Sequence, residues 1–309
     1  MMANFSAFLQ QLQKDLEITA QENVELHSYS TARVGGPARG IITVYDKKQL
    51  EVAVRLAWQS DIQFLVMGSG ANLLISDKGY DGVVILNKAN LIRVNANDTP
   101  PTVWGESGAN FSLLARRAAL RGLSGLEWAA AIPGTVGGAV YGNAGAFGSD
   151  VSRTLLLAEI LHPTLGIQTW KPDQFEYGYR TSILKRNHNF AVLLSAQFLL
   201  QPASVEEAKA KIEENTAKRR ATQPPGASLG SMFKNPEGDY AGRLIEAAGL
   251  KGKRFGGVAV SEVHANFFVN DEGAKAQDYW NLIQYVKQDV KSKFDVELEL
   301  EVEPIGDFS

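Results

Sequence analysis

The chain has 309 residues, 45% of them hydrophobic and 21% charged, with a formal net charge of −3. This is the composition of an ordinary globular protein, long enough for two or three domains, and its charge gives no argument for a nucleic-acid or membrane-surface partner. The absence of cysteine excludes disulfides, thiolate catalysis and cysteine-ligated metals.

The N-terminal stretch MMANFSAFLQQLQKDLEIT alternates polar and apolar residues. It has no basic region followed by an apolar run, so no signal peptide is expected. No window approaches about 18 uninterrupted apolar residues, so no membrane-spanning helix is expected and the expected location is cytoplasmic. Ile41 to Val44 reads as a short buried strand. Asp46 then offers an N-cap with Gln49 as its box partner. Leu50, Ala53, Val54, Ala57 and Trp58 fall on one helical face. Phe64 to Met67 is a second strand, and the three elements read as a βαβ unit that delivers the chain into GSGANLL, Gly68 to Leu74. Val83 to Leu86 is a further strand. Asn110 caps a helix through Arg121, with Gly122 where a helix-ending glycine belongs. Leu155 to Trp170 reads as a hairpin around Pro163 to Gly166, and Phe190 to Leu200 is β-rich until Pro202 interrupts it.

Ser204 and Glu207 form a capping box for a helix to about Arg220, whose exposed face carries Glu207–Lys211 and Glu214–Lys218 pairs. Chain character changes here, which places a boundary near residue 203. A second amphipathic helix runs from about Lys275 to Lys293 on a stripe of Tyr279, Leu282, Ile283, Val286 and Val290. The closing VELELEV, Val296 to Val302, alternates strictly and reads as a strand. Strands and helices in mixed order make the class α+β.

Two glycine-rich segments carry chemistry. In GSGANLL, Gly68 and Gly70 flank Ser69 directly after a buried strand. Backbone N–H groups in such a turn can form an anion-binding nest, although a tight turn with no ligand explains the same residues. It is neither the GxGxxG of a Rossmann fold nor a P-loop with its lysine. The second segment, IPGTVGGAVYGNAGAFG from Ile132 to Gly148, holds six glycines and no charge. Its Ile132, Val136, Val140, Tyr141 and Phe147 call for burial, and buried backbone must satisfy its polar groups. A large cofactor with phosphates and a flat ring would do that, with the Gly137–Gly138 pair letting backbone approach it closely; packing against a sheet is the alternative. A ligand long enough to touch both segments is a dinucleotide, and without a Rossmann signature FAD in another fold becomes the attractive choice.

The four histidines, His27, His162, His188 and His264, form no HExxH-type pair, so no metal site is expected. His264 reads as a hydrogen-bonded structural residue rather than a base. Arg180 alone reads as a surface charge and Ser231 alone as a turn residue. Periodicity does not separate Glu301 from Glu297, Glu299 and Glu303.

GSGANLL followed by GLSGLEWAAAIPGTVGGAVYGNAGAFG resembles the FAD-binding domain of the UDP-N-acetylenolpyruvoylglucosamine reductase (UDP-N-acetylmuramate dehydrogenase) family, within the superfamily named for p-cresol methylhydroxylase and vanillyl-alcohol oxidase. TARVGGPA, YGYRTSIL, GSMFKNP, AGRLIEAAGLKG, GGVAVSEVHANFFVN and the ending LEVEPIG look like that family's segments in its order, so the likeness covers roughly residues 28 to 306. The intervals from Arg180 to Ser231 and from Ser231 to Glu301 are short. They are similar to the family's shorter, second type, which lacks the tyrosine-bearing closing loop of the longer one.

The resemblance implies an FAD-containing, NADPH-dependent oxidoreductase of peptidoglycan precursor synthesis that reduces UDP-N-acetylglucosamine enolpyruvate to UDP-N-acetylmuramate. It implies Arg180 as the substrate-polarising arginine, Ser231 as proton donor and Glu301 as the essential glutamate. Substrate contacts are implied for Arg180, Lys234 and Asn235, with Gln223 standing where some relatives present a lysine. FAD contacts are implied for Gly68, Ser69, Gly70, Asn72 and Leu73, and for Pro133, Gly134, Thr135, Gly137, Gly138, Asn143 and Gly145. The FAD is expected to be non-covalent.

The implied fold is a two-lobed FAD-binding domain of the p-cresol methylhydroxylase/vanillyl-alcohol oxidase type plus a smaller α/β substrate domain. One lobe is expected at residues 1–88, with 302–309 returning to it, a second at 89–203, and the substrate domain at 204–301. No nucleic-acid, membrane or obligate protein partner is expected. The rivals are another FAD-dependent oxidoreductase of the superfamily, such as an alcohol oxidase, and a nucleotide-binding module without catalysis.

Overall fold

The computed structural model describes residues 2–188, 190–271 and 273–309. The chain divides into two compact units: Met1–Gln21, Ile41–Gly68 and Gly82–Arg219 make the first, and Glu22–Gly40, Ser69–Asp81 and Arg220–Ser309 the second.

In the first unit, the helix Lys47–Gln59 starts where the sequence places it. Asp46 accepts the Gln49 N–H at 2.8 Å, but the Gln49 side chain accepts from Tyr45 rather than from Asp46, so the reciprocal bond is displaced by one residue. Leu50, Ala53, Val54 and Ala57 are fully buried, and Trp58 is half-buried with its ring edge-on to Phe64. Burying side chains of the Leu50 and Val54 kind contributes about 1.5–3 kcal/mol each. The strands Pro37–Val44 and Phe64–Met67 are not neighbours, because Tyr80–Asn87 lies between them and runs parallel to Phe64–Met67. The expected βαβ unit is therefore a crossover with a later strand inserted in its gap. A helix over Met2–Leu16 buries Phe5, Phe8 and Leu12 against the same core. Their spacing of three and four residues is helical, where the sequence reading saw only alternation.

A five-stranded antiparallel sheet completes this unit in the order Gly166–Trp170, Leu155–His162, Val192–Leu199, Thr102–Glu106 and Ile92–Asn95. Its first two strands are the expected hairpin, with Ala158 opposite Trp170. The helix Phe111–Ala119 is capped by Asn110, which accepts the Leu113 N–H at 2.8 Å, and Gly122 takes the positive φ expected of it. Phe111 packs on Trp128 and Phe198 at ring distances of 5.7 and 5.4 Å. The helix Val205–Thr222 has the Ser204–Glu207 capping box. With Glu207 engaged by Ser204, Lys211 pairs with Glu214, which also takes Lys218. Ala208 and Ile212 of this helix join the core of the first unit.

The second unit builds on a three-stranded sheet, Arg254–Phe255, Val258–Val260 and Phe268–Asn270, with the helices Ala241–Ala247 and Ala276–Phe294. All five residues of the predicted stripe, Tyr279, Leu282, Ile283, Val286 and Val290, are buried at 0% exposure. VELELEV is not a strand of a sheet. It keeps the alternation, with Leu298 and Val302 buried and Glu297 and Glu299 exposed, but among the described residues it pairs through a single bridge between Phe233 and Leu300. The ladder forms one step later, where Glu303–Ile305 runs parallel to Leu73–Ile75. Alternation reports which side is buried; a ladder needs a partner strand in register. Among the described residues, no helix is long and apolar enough to cross a membrane.

Candidate active site

The glycine block of the first unit is ordered by its own hydrogen bonds. Thr135 caps the helix Val136–Tyr141, accepting the Gly138 N–H at 3.3 Å. Phe111 donates its N–H to the Gly134 carbonyl at 3.2 Å, and Gly137 donates to the Ser107 carbonyl at 2.7 Å. A Cβ on Gly137 would lie 2.9 Å from that carbonyl oxygen. Protein backbone by itself thus calls for a glycine at 137. Gly68 is similar, since a Cβ there would lie 2.6 Å from the Thr135 hydroxyl oxygen.

Gly134 and Gly138 differ. Nothing lies within 4 Å of a Cβ built on Gly134, and only the Thr135 oxygen, at 3.7 Å, meets one on Gly138. These two positions leave backbone open to a ligand, so the block fits a large flat cofactor. Gly137→Val is expected to destabilise folding by about 1–3 kcal/mol through overpacking. A urea-unfolding series checks this, and an unchanged midpoint would return the glycine to a purely ligand-facing role.

Arg180 is held against this block. Its guanidinium donates to the Gly145 carbonyl at 2.7 Å and lies 5.3 Å from the centre of the Tyr179 ring. The residue has φ 58°, a left-handed backbone uncommon for arginine. The neighbouring bonds that hold it escaped the sequence reading. Asn143, itself buried, donates to the Gly178 carbonyl at 3.0 Å and accepts the Ser152 N–H at 3.0 Å. The Tyr177 hydroxyl donates to the Val140 carbonyl, and the Ser182 hydroxyl to the Tyr141 carbonyl. Burial pushes the Tyr177 phenol far above its ordinary range, with Asp150 adding repulsion, so it stays a neutral donor. No spacing rule marks such contacts; only the packed arrangement does.

The second unit brings together Ser231, Lys234, Asn72 and Glu301. Glu301 donates its N–H to the carbonyl of Met232, the residue after Ser231, and Lys234 donates its N–H to the Glu299 carbonyl. On the other side Ser231 bridges to Phe267, while the Asn266 side chain both accepts from the Phe233 N–H and donates to its carbonyl. Asn72 donates its side-chain amide to the Glu301 carbonyl at 3.1 Å, and its own carbonyl accepts the Glu303 N–H at 2.9 Å. Leu73 stands opposite Glu303 in the parallel pairing, and Gly70 accepts from the Thr31 N–H.

These bonds separate the four alternating glutamates. Glu297 and Glu299 are exposed, with Glu299 paired to Lys234, while Glu301 and Glu303 are half-buried. Asn235 is exposed and its side-chain oxygen caps the helix Ala241–Ala247 by accepting the Ala241 N–H. His264 accepts the Asn266 N–H at 3.2 Å. Burial, helped by Lys251, holds its imidazole below the ordinary histidine range, as suits a neutral acceptor buttressing the Asn266 clamp.

Residues 38–164 match the family model described as an FAD binding domain, and residues 221–305 that of the UDP-N-acetylenolpyruvoylglucosamine reductase C-terminal domain. The chain is 40% identical over 287 residues to the UDP-N-acetylenolpyruvoylglucosamine reductase of Bacillus pumilus, covering 93% of this chain and 94% of that one. It is 38% identical over 308 residues to the one of Clostridium botulinum, covering 98% of each. The crystal structure of the reductase from Thermus caldophilus superimposes with a TM-score of 0.78 at 32% identity, covering 94% of this chain and 99% of that one.

Proposed function

The chain belongs to the UDP-N-acetylenolpyruvoylglucosamine reductase family, and from that premise we propose how its own residues carry the reaction. It is a flavoprotein oxidoreductase, a UDP-N-acetylmuramate dehydrogenase of peptidoglycan precursor synthesis, in a family that uses FAD and NADPH. Its fold joins an FAD-binding domain of the p-cresol methylhydroxylase type to the family's own C-terminal domain. FAD, when bound, supplies a hydride carrier from NADPH to the enolpyruvyl double bond of the UDP-sugar. The residues that would hold it are the open backbone at Gly134 and Gly138 and the turn Gly68, Ser69, Gly70, Asn72 and Leu73.

Arg180 grips the enolpyruvyl carboxylate. Charge arriving on those oxygens as the double bond is reduced is stabilised by a guanidinium already oriented through Gly145 and Tyr179. Ser231 delivers the proton to the carbanion carbon. Its unperturbed acidity is low, so it depends on the basicity of that carbon. Glu301 assists from the neighbouring chain segment, and Lys234 and Asn235 hold the diphosphate. The observation that supports this reading best is the backbone bond from Glu301 to Met232, which sets the glutamate beside the Ser231 segment.

The test is a coupled assay with NADPH and UDP-N-acetylglucosamine enolpyruvate on the yellow holoenzyme, followed by acid precipitation. Turnover with all flavin released to the supernatant is the expected result. A holoenzyme bleached by an alcohol but not by NADPH would overturn the reading in favour of an oxidase. Colour left in the pellet would overturn the non-covalent attachment.

A further inference from the structure

Next to the Gly68–Leu73 turn, whose Gly70 carbonyl accepts the Thr31 N–H, the second unit contains a cavity of about 410 Å³. It is lined by His27, Ser28, Ser30, Thr31 and Arg33 from one stretch of chain and by Gly226 and Ala227 from another. We propose that this cavity is a phosphate-binding subsite for a nucleotide, with the Arg33 guanidinium as its anchor.

The lining carries no carboxylate and no Phe, Tyr or Trp side chain. The Thr31 and Ser28 hydroxyls already donate to the Ser228 and Glu25 carbonyls, so the donors it offers an oxyanion are the Ser30 hydroxyl, the His27 imidazole and the Arg33 guanidinium. Arg33 is exposed, and its guanidinium has no hydrogen-bond or ion-pair partner among the described residues. A guanidinium presents five donors and no acceptor, in a fork that matches phosphate oxygens. The volume lies within the range of small-molecule sites, about 300–1,000 Å³, and has room for more than a single phosphate.

The cavity is also a built one. Arg33 has φ 57°, a conformation that costs a non-glycine residue free energy and points to function where the surroundings enforce it. The surroundings do enforce it. Arg33 donates its N–H to the Ser30 carbonyl at 3.0 Å, and the Ser30 hydroxyl accepts the Ala32 N–H. Asn270 ties the two lining stretches together. Its side chain donates to the Ala32 carbonyl at 2.9 Å, and its backbone N–H donates to the Ala227 carbonyl at 2.9 Å. Thr31 adds a second tie, donating its hydroxyl to the Ser228 carbonyl at 2.8 Å. At Gly226, φ 107° and a Cβ position 3.0 Å from the Val269 side chain disfavour any larger residue in this part of the lining.

The phosphate has three possible sources in this reaction: the diphosphate of the UDP-sugar, a phosphate of NADPH, or the pyrophosphate of FAD. The inference rests on the proposed function only for this choice of nucleotides. Its readout is binding, so a chain that fails to turn over yet binds through Arg33 sinks the catalytic reading and keeps this one.

The test uses the holoenzyme and its Arg33→Gly variant, which removes the guanidinium and relieves the left-handed backbone, so the melting temperature is expected to hold or rise. Calorimetry with UDP, calorimetry with 2′,5′-ADP, and flavin content per chain form the three arms. Loss of a charge-assisted contact is expected to weaken one of them by roughly 10–100-fold. A drop with UDP assigns the subsite to the substrate, a drop with 2′,5′-ADP to the reductant, and loss of flavin to the cofactor. All three unchanged would overturn the proposal. If Arg33→Gly lowers the melting temperature, Arg33→Asn, which also tolerates this backbone, is read by the same criteria.

Discussion

Ser231→Ala is expected to separate the two halves of the reaction. Reduction by NADPH requires no proton at the enolpyruvyl carbon, so it should proceed at near its normal rate. Transfer to the UDP-sugar enolpyruvate should fall by about 10²–10⁴-fold, the usual loss when a general acid is removed. The fold gives no reason for a confounding loss of stability. Ser231 is held by backbone pairing with Phe267, and its hydroxyl has no partner among the described residues. Stopped-flow measurement of each half-reaction decides the matter. Equal slowing of both would make the serine a positioning residue, and no slowing of either would pass the proton to Glu301 or His264.

Arg180→Gln should leave the fold and the NADPH half-reaction intact while slowing transfer to the substrate by about 10²–10³-fold, the scale of losing one electrostatic donor aimed at developing charge. Glutamine keeps an amide that can reach a carbonyl such as Gly145, but it carries no charge for the carboxylate. Arg180→Lys restores the charge without the planar fork, and partial recovery is expected. Single-turnover rates with reduced enzyme give the comparison. An unchanged rate in Arg180→Gln would remove Arg180 from the chemistry, and loss of flavin would make it a buttress of the glycine block.

Much of the second unit was legible because its signals repeat. The stripe from Tyr279 to Val290 is buried as its spacing required, and of the alternating apolar residues of VELELEV, Leu298 and Val302 are buried while Val296 and Leu300 are half-buried. The same alternation was misread as a sheet strand, since pairing depends on what lies alongside. Glu207 illustrates a competition that spacing could not resolve. Its carboxylate had two partners at helical distance, and the Ser204 cap took it, leaving Lys211 to Glu214.

Caps, amphipathic faces and the hairpin came from the sequence by itself, because each is decided by residues within a few positions of one another. The family resemblance was equally written in linear order, as motifs. What the tertiary structure decided is which glycine meets protein and which stays open, and which asparagine clamps which loop. Gly137 and Gly138 are identical in sequence terms, but only Gly137 faces the Ser107 carbonyl. Asn72 holds the Glu301 carbonyl across 229 positions of chain, and Asn266 holds Phe233 across 33. A hydrogen bond acts over about 3 Å and has no sequence period, so such partners become visible only when folding brings them together.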